Sequence, residues 1–320
     1  MHQNNTSHLK NEIKKIGLAI IKTYFTIRSL YPVWRILNRE AIRTFTIPHL
    51  NAVQKRILHD LHEKGIATAL ITELFDDAVL TTLISDFIRL KTEQKGRQEP
   101  TKRFLTSFIK LPAIINTEDN FIKFILDPKI IDIANSYLGM QSKFYCYTIN
   151  TTNPVKEGEQ PRQSQRWHRD PQDKKLCKLF LYLSDVDEVS GPFMYVTHSA
   201  YGMKYGKLFP QQPPIGYYPP DGTVEKSVDP KNLHSFTGTT GTIIFADTAG
   251  LHKGGYATQK ERIMLTAGFR PPHSVTNARV IYPKSACYQL MPGPKMRFSR
   301  KLFTFHVRWN KALGINPYNE

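Results

Sequence analysis

The tripeptide His168-Arg169-Asp170, within the stretch QRWHRDPQDKK, combines residue types that can perform chemistry. Side chains at positions i and i+2 of an extended strand lie on the same face, so His168 and Asp170 can hold one metal ion. HRD is also the catalytic-loop motif of protein kinases, which have an asparagine shortly after the aspartate. Here that position is Lys175, no DFG follows, and no GxGxxG precedes the tripeptide. The kinase interpretation therefore fails, and a metal site or an ordinary polar loop remains.

A third metal ligand and an anion-binding residue stand further along the chain. His252 follows the apolar stretch GTIIFAD and lies beside glycines, which permit close approach of the backbone. Two histidines and one carboxylate on one face of a metal ion leave the opposite positions open, as in non-haem Fe(II) oxygenases. Arg262 lies on the next apolar run, where a turn can bring its guanidinium back over the metal to bind a carboxylate bidentately.

The elements that must position these side chains lie between about 143 and 270. Short runs rich in β-branched and aromatic residues are separated there by Gly, Pro, Asn and Asp, which predicts strands. No helix of convincing length alternates with them, so an antiparallel sandwich or jelly roll is favoured over a parallel sheet. The runs are KFYCYTIN, KLFLYLSDV, GPFMYV, GTIIFAD and RIMLTAGFR.

Helices are predicted ahead of this core, in residues 46–140. One apolar stripe from Val53 to Leu61 ends at Gly65, and a second helical pattern runs from about Asp76 to Lys91. Further helical residues continue to about Leu138, where the period changes. The chain from 46 to 320 therefore predicts one α+β, mainly β domain with a jelly-roll core at 143–270 and supporting helices before it.

Residues 1–45 form a basic extension with an amphipathic helical pattern. Lysines interrupt its apolar run, which makes it a poor membrane-spanning segment, and no small-residue cleavage site indicates a secretory signal. Residues 13–36 can lie on an anionic membrane surface or pack against the domain with their lysines in solvent, and the pattern favours packing. The apolar positions at helical spacing are Ile13, Ile16, Ile20, Tyr24, Ile27 and Tyr31.

The net charge and the cysteine count restrict the binding partners and the cellular compartment that we expect for this protein. The 320 residues carry a formal charge of +17 and three cysteines, Cys146, Cys177 and Cys287. Three cysteines without a CxxC spacing predict neither a disulfide framework nor a structural zinc site, which favours a reducing, cytoplasmic compartment. The charge attracts polyanions, but no RNP, zinc-finger or heptad pattern accompanies it. Nucleic acid is therefore not the predicted partner.

The insertion at 201–235 is rich in Pro, Gly and Tyr and has neither helical nor strand periodicity. A loop of this length inside a compact domain is usually a lid or a substrate wall. Together with the excess of Lys and Arg, its aromatic residues Phe209, Tyr217 and Tyr218 indicate a lipid-like, amphiphilic or anionic substrate. The tail at 271–320 is irregular, basic and aromatic, and we expect it to pack back on the body.

Three segments together resemble the phytanoyl-CoA dioxygenase family of Fe(II)/2-oxoglutarate oxygenases. They are WHRD, the stretch YLSDVDEVSGPFMYVTHSAYG, and the block from GTIIFADTAGLHKGG to ERIMLTAGFRP. The resemblance runs from about Leu58 to about Arg270. The sequence departs from the family where Tyr195-Val196 replaces a usual Pro-Gly and where Gly254 stands in place of a serine. The 201–235 insertion and the tail have no counterpart in the family.

The resemblance implies a cupin-like double-stranded β-helix, or jelly roll, with iron bound by His168, Asp170 and His252. It also implies that 2-oxoglutarate chelates the iron and that Arg262 binds its distal carboxylate. The implied reaction uses O2, releases succinate and CO2, and hydroxylates a small substrate through a ferryl intermediate. Halogenating relatives lack the carboxylate found here at Asp170, which favours hydroxylation.

Two residues on the strand before the HRD tripeptide, Tyr147 and Asn150, are candidates for contact with the cosubstrate. Two other functions compete with the hydroxylase. One is a catalytically silent jelly-roll scaffold docked on anionic membrane; the other is a nucleic-acid-modifying oxygenase, which depends on the net charge alone. The intact set of four candidate residues disfavours the scaffold.

Overall fold

The computed structural model describes residues 12, 15–17, 19–20, 23–24, 26–28, 30–93, 96–98, 103–212, 216–274 and 279–282. Its named helices are Tyr31–Leu37, Arg39–Arg43, Ala52–Lys64, Ile71–Leu74, Asp77–Glu93, Asn120–Ile125, Pro128–Leu138 and Thr223–Ser227. Its strands are β1 Ile66–Leu70, β2 Arg97–Gln98, β3 Leu105–Ser107, β4 Ala113–Ile114, β5 Lys143–Thr152, β6 Cys177–Tyr182, β7 Phe193–Val196, β8 Leu233–Phe236, β9 Thr242–Ala246, β10 His252–Lys253, β11 Arg262–Arg270 and β12 Val280–Ile281.

The helices predicted between 51 and 95 are confirmed. Ala52–Lys64 begins at a capping box, in which Asn51 Oδ1 accepts from Gln54 N and Gln54 Oε1 accepts from Asn51 N. The helix ends at Gly65, whose φ of 80° is left-handed. A Cβ on Gly65 would lie 2.5 Å from the Tyr195 hydroxyl, so this position requires glycine for space as well as for conformation.

Two antiparallel sheets form the strand-rich part. The large sheet has seven strands in the order β1-β9-β6-β11-β5-β3-β2, and the small sheet has three in the order β10-β7-β8. All five predicted runs are strands, and their pairing is antiparallel as expected. The region predicted as helical, 46–140, also contains β1, β2, β3 and β4. The sequence IATAL of β1 was missed because its run is short and lies between two helices.

The large sheet is buried on both faces, and this decides which side chains can line a site. Its outer face packs against the helices in one core that includes Tyr147, Leu179, Phe245 and Leu265. Its inner face turns toward the small sheet, where Phe180 packs in a second core together with residues of β7. Successive residues alternate between these faces, because side chains of a strand point to opposite sides.

The N-terminal extension does not present its apolar stripe to the domain. Described positions between 12 and 28 are helical, but Ile16, Ile20 and Ile27 are 59%, 56% and 51% exposed. Contact with the body comes instead from Arg28, whose Nη2 lies 3.8 Å from Asp173 Oδ2. The expectation that the apolar face packs inward is therefore wrong for these residues. Among the described residues, no helix is both long and apolar enough to cross a bilayer.

Residues after the N-terminal helical segment join the main body. The Trp34 ring lies in the main core, and its Nε1 donates to Asp173 Oδ1 at 2.8 Å. The amide of Gln141 donates to the carbonyl of Ala41 at 3.1 Å. The predicted boundary between extension and domain at 45 thus falls inside a packed region.

The insertion 201–235 is less irregular than its sequence indicates. It contains the short helix Thr223–Ser227, and β8 begins at Leu233 within it. Cys146 and Cys177 are buried and free, whereas Cys287 and all residues after 282 lie outside the described part of the chain. The described start of the tail packs back on the body as expected, since Val280–Ile281 pair with β4 and Val280 lies in the main core; the packing of the aromatic residues after 282 stays a prediction.

Candidate metal centre

The structure brings His168, Asp170 and His252 together at the edge of the small sheet. One ligand-type atom from each side chain lies within 4.8 Å of the other two. The backbone fixes the two histidines opposite each other, because the N–H of each donates to the carbonyl of the other, at 2.9 and 3.0 Å. Paired residues of antiparallel strands project to the same side, and the two ring centroids are 4.2 Å apart.

Backbone carbonyls select the tautomer of both imidazoles. Nδ1 of His168 lies 2.9 Å from the carbonyl of Arg166, and Nδ1 of His252 lies 3.0 Å from the carbonyl of Gly250. A carbonyl only accepts, so each Nδ1 carries the proton and donates it. In a neutral ring this makes Nε2 the unprotonated nitrogen, which is the form that ligates a metal. Burial also lowers the pKa of His252, which favours the neutral ring.

Asp170 provides an ionised carboxylate at the same place. Burial alone would raise its pKa, but the Lys178 ammonium and the two imidazoles more than offset that effect and hold the pKa below its usual value. The Lys178 Nζ lies 2.6 Å from Asp170 Oδ2, and His252 Nε2 lies 3.9 Å from the same oxygen. Sequence reasoning missed Lys178, because it lies inside the apolar run of β6 rather than in a motif.

Arg169 points away from its two neighbours and has a structural role. Its guanidinium is buried, and it donates only to backbone carbonyls, two of them at 2.6 and 2.7 Å. Alternation along an extended segment could have indicated this, since the residue between two ligands on one face must turn to the other face. The carbonyls belong to Ser199, Tyr205, Leu208, Phe209 and Ala249.

Two residues ahead of His252 fix the backbone around the ligands. The carboxylate of Asp247 accepts from the backbone N–H groups of Leu176 and Ala249, both at 3.0 Å. The carbonyl of Thr248 accepts from the Asp170 N–H at 2.8 Å. These contacts tie the loop that carries Asp170 to the turn before His252, so Asp247 and Thr248 act by positioning the ligand-bearing backbone.

Arg262 lies in the same cavity as the three ligands. The cavity has a volume of about 360 Å³ and lies between the inner face of the large sheet and the small sheet. The Arg262 side chain is buried, its Nη2 donates to Thr152 Oγ1 at 3.3 Å, and the guanidinium also interacts with the Tyr182 hydroxyl. Its Nε and Nη1 have no hydrogen-bond partner among the described residues. Burial lowers the pKa of this guanidinium, and an anionic ligand would offset that cost.

Of the two candidates on β5, only Asn150 lines the cavity. Asn150 lies opposite Met264 of β11, and its buried Oδ1 has no hydrogen-bond partner in the described chain. Tyr147 stands an odd number of residues away and points to the opposite face, into the main core beside Phe144. The expectation that Tyr147 contacts a cosubstrate is therefore wrong, because one strand cannot turn both residues inward.

Residues of the 201–235 insertion form part of the cavity wall, in agreement with the prediction of a lid or substrate wall. Tyr217 and Tyr218 are among its lining residues, and the Tyr218 ring centroid lies 5.6 Å from that of His168. The Arg166 guanidinium lies 5.6 Å from the centre of the same tyrosine ring. Phe209 packs instead in a separate apolar cluster with Trp167.

Comparison with solved structures identifies the architecture. The epimerase SnoN, solved in complex with Fe3+, alpha ketoglutarate and nogalamycin RO, aligns with a TM-score of 0.52 at 13% identity, over 69% of this chain and 84% of its own. EctD from S. alaskensis, solved with 2-oxoglutarate and 5-hydroxyectoine, aligns with a TM-score of 0.50 at 15% identity, over 73% and 81%. The shared fold is the double-stranded β-helix.

The predicted cupin-like fold is thereby confirmed, and at these identities the likeness shows the fold alone. No protein-family model matches the sequence, and no curated protein matches it.

Proposed function

We propose that this chain is an Fe(II)- and 2-oxoglutarate-dependent oxygenase of the phytanoyl-CoA dioxygenase type, which uses O2 to hydroxylate a small organic substrate. His168, Asp170 and His252 would hold the iron, and Arg262 would bind the distal carboxylate of 2-oxoglutarate. One observation carries the proposal: a triad of metal ligands shares a cavity with a buried arginine whose Nε and Nη1 have no hydrogen-bond partner among the described residues.

The residues present fit both groups. Two imidazoles in the ligand tautomer and an ionised carboxylate form the donor set that suits non-haem Fe(II), and three protein ligands leave positions for cosubstrate and O2. A guanidinium with unpartnered N–H groups matches the planar geometry of a carboxylate. SnoN and EctD were each solved with this cosubstrate bound on the same fold, which supports the assignment.

Bound Fe(II) and 2-oxoglutarate would supply the oxidising chemistry, with release of succinate and CO2. The residues of this chain position the reactants and exclude water. The carbonyls of Arg166 and Gly250 hold the two imidazole rings in orientation. Phe193 packs its ring 5.7 Å from that of His252 and makes this side of the cavity apolar.

Hydroxylation is the outcome that we propose, because Asp170 supplies the carboxylate that halogenating relatives lack. The substrate, or the part of it that reaches the metal, is small. A cavity of about 360 Å³ is at the low end of the roughly 300–1,000 Å³ typical of ligand sites, and the cosubstrate fills part of it.

The test is 2-oxoglutarate turnover by purified protein with Fe(II), ascorbate and O2. We expect succinate formation that is lost in His168→Ala while the thermal unfolding temperature stays unchanged. A protein that binds no 2-oxoglutarate in the presence of Fe(II) would refute the proposal. A silent scaffold is disfavoured, because a retired site has no use for a buried guanidinium whose Nε and Nη1 have no partner among the described residues.

A further inference from the structure

The N-terminal helical segment has an exposed apolar stripe, formed by Ile16, Ile20 and Ile27. Described positions between 12 and 28 are helical, and each of the three isoleucines is more than half exposed. At 3.6 residues per turn, the three side chains lie within about 40° of one another around the helix axis. Tyr24 and Leu30 extend the exposed apolar surface. A contiguous apolar surface of this kind is typical of a site that binds another surface.

A different side of the same segment contacts the body of the protein. Gly17 and Arg28 are buried, and their positions are about three helical turns apart, which puts them on one side of the helix. That side lies about a quarter turn from the stripe. Arg28 Nη2 lies 3.8 Å from Asp173 Oδ2, and Trp34 Nε1 donates to Asp173 Oδ1 at 2.8 Å. The segment is therefore held against the domain by another side, while the stripe stays exposed.

The sequence around the stripe is strongly basic. Residues 10–43 contain eight Lys or Arg and two Glu. Lys15 pairs with Glu12 at 2.8 Å, but the two glutamates of this stretch are too few to neutralise its cations. Exposed cations among the described residues are Lys15, Arg35, Arg39 and Arg43. A partner that fits this face is therefore negatively charged as well as apolar.

Three other partners each meet only one of these two requirements. The part of the tail at 283–320 contains seven Lys or Arg and one Glu, so like charge opposes its packing on the stripe. A second copy of the chain would bring the same excess of positive charge against itself. Nucleic acid has the required charge, but it offers no apolar interior for three isoleucines. The surface of an anionic lipid bilayer has both properties.

We infer that the N-terminal stripe docks on the surface of an anionic lipid bilayer. A basic amphipathic helix places its apolar face at the boundary of headgroups and acyl chains, while its cations attract the acidic headgroups. The helical segment would lie in the plane of this interface. The contacts of Asp173 with Arg28 and Trp34 would hold the domain to the docked segment.

The docking face continues from the helical segment to the 201–235 insertion. Lys174 Nζ lies 6.0 Å from the centre of the Tyr31 ring and 4.3 Å from the centre of the Tyr201 ring. Both tyrosines are exposed, and tyrosine suits a membrane interface because it has an apolar ring and a polar hydroxyl. Tyr201 begins the insertion, which forms part of the cavity wall. Docking would therefore bring one wall of the cavity close to the lipid surface.

Co-sedimentation of the full chain with lipid vesicles tests this docking. We expect it to bind mixed vesicles of phosphatidylcholine and phosphatidylglycerol at least about tenfold more tightly than pure phosphatidylcholine, and to dissociate at high salt. Replacing Ile16, Ile20 and Ile27 together by serine should weaken binding to the mixed vesicles at least about tenfold, because it removes the apolar contact and keeps every charge. Tyr201→Ser should weaken binding by a smaller factor.

The charge requirement is tested separately. Replacing Arg35, Arg39 and Arg43 together by glutamine should weaken binding to the mixed vesicles at least about tenfold and leave binding to pure phosphatidylcholine unchanged. A matched control removes the same number of charges outside the helical segment and should have a smaller effect. It replaces three exposed lysines by glutamine, namely Lys55, Lys123 and Lys156.

The matched control for the stripe replaces three other exposed isoleucines by serine, namely Ile88, Ile114 and Ile281. It should leave vesicle binding unchanged, and thermal unfolding checks that every variant is folded. The inference is overturned if the wild type does not bind the mixed vesicles, or if this control weakens binding as much as the stripe substitutions do. Self-association through the stripe without lipid binding, or tighter binding to an oligonucleotide than to the mixed vesicles, would also overturn it.

Discussion

Arg169 and Arg262 provide a matched pair of perturbations, because the two guanidinium groups are equally buried but differently partnered. Each residue is 4% exposed. Arg169 is surrounded by carbonyls that accept its hydrogen bonds, whereas Nε and Nη1 of Arg262 have no hydrogen-bond partner among the described residues. We expect Arg169→Met and Arg262→Met to change the stability of the ligand-free protein in opposite directions.

The expected change in the free energy of unfolding depends on which buried polar groups each substitution removes or leaves unpaired. Arg169→Met leaves several buried carbonyls without donors, and at about 1–3 kcal/mol for each unsatisfied buried acceptor we expect a total loss of about 3–5 kcal/mol. At about 2 °C per kcal/mol for a domain of this size, Tm should fall by roughly 6–10 °C. Arg262→Met removes a buried charge that has no carboxylate partner among the described residues, and replacing buried charge by an apolar side chain is neutral or stabilises by up to about 4 kcal/mol.

The Kd for 2-oxoglutarate should rise in Arg262→Met, the variant that keeps its stability, and should change little in Arg169→Met. In Arg262→Met the distal carboxylate would be buried without its partner, which costs about 2–5 kcal/mol and raises Kd roughly 30- to 5,000-fold. Arg169→Met touches no ligand and should leave Kd nearly unchanged at temperatures where the protein is folded.

Thermal unfolding of both variants without ligand, and titration of 2-oxoglutarate into the Fe(II) forms without O2, measure both quantities. The reasoning is refuted if Arg262→Met lowers Tm as much as Arg169→Met does and still binds 2-oxoglutarate like the wild type. Arg262 would then be a structural arginine. Arg262→Lys serves as a further control, because it keeps the charge and loses the planar fork.

Two further predictions concern positions that support the site. Burial raises the pKa of Asp247 to about 6, above the roughly 3.9 of an unfolded aspartate, so the native state binds more protons between these values and stability falls as pH rises through that window. Relative to Asp247→Asn, the wild type should lose up to about 3 kcal/mol of unfolding free energy between pH 4 and 6 in urea titrations; parallel curves would contradict this. Gly65→Ala should cost more than Gly139→Ala, since both glycines have left-handed φ values but only a Cβ on Gly65 meets the Tyr195 hydroxyl. Equal losses in denaturation would show that the contact with Tyr195 is unimportant.

Local sequence patterns identified most of the helices and strands and the order of the candidate ligands along the chain. Periods of two and of about 3.6 residues are local properties, so they identified the strands from Lys143 onward and the helices on either side of Gly65. The i, i+2 spacing of His168 and Asp170 is likewise local. Together with His252 and the trailing Arg262, it was sufficient to predict a metal site whose members the structure brings into one cavity.

Only the packing of the two sheets showed which face of each strand in the large sheet lines the cavity. The strands of the large sheet carry apolar side chains on both faces. Their sequence therefore lacks the alternation of polar and apolar residues that would show which side chains line the cavity and which lie in the core. Tyr147 and Asn150 were therefore indistinguishable until pairing with β11 put them on opposite sides. Lys178 lies beside Asp170 because the two sheets pack together, which the sequence does not show. The apolar stripe of the N-terminal helical segment was visible in the sequence, but whether it is covered depends on contacts with residues distant along the chain.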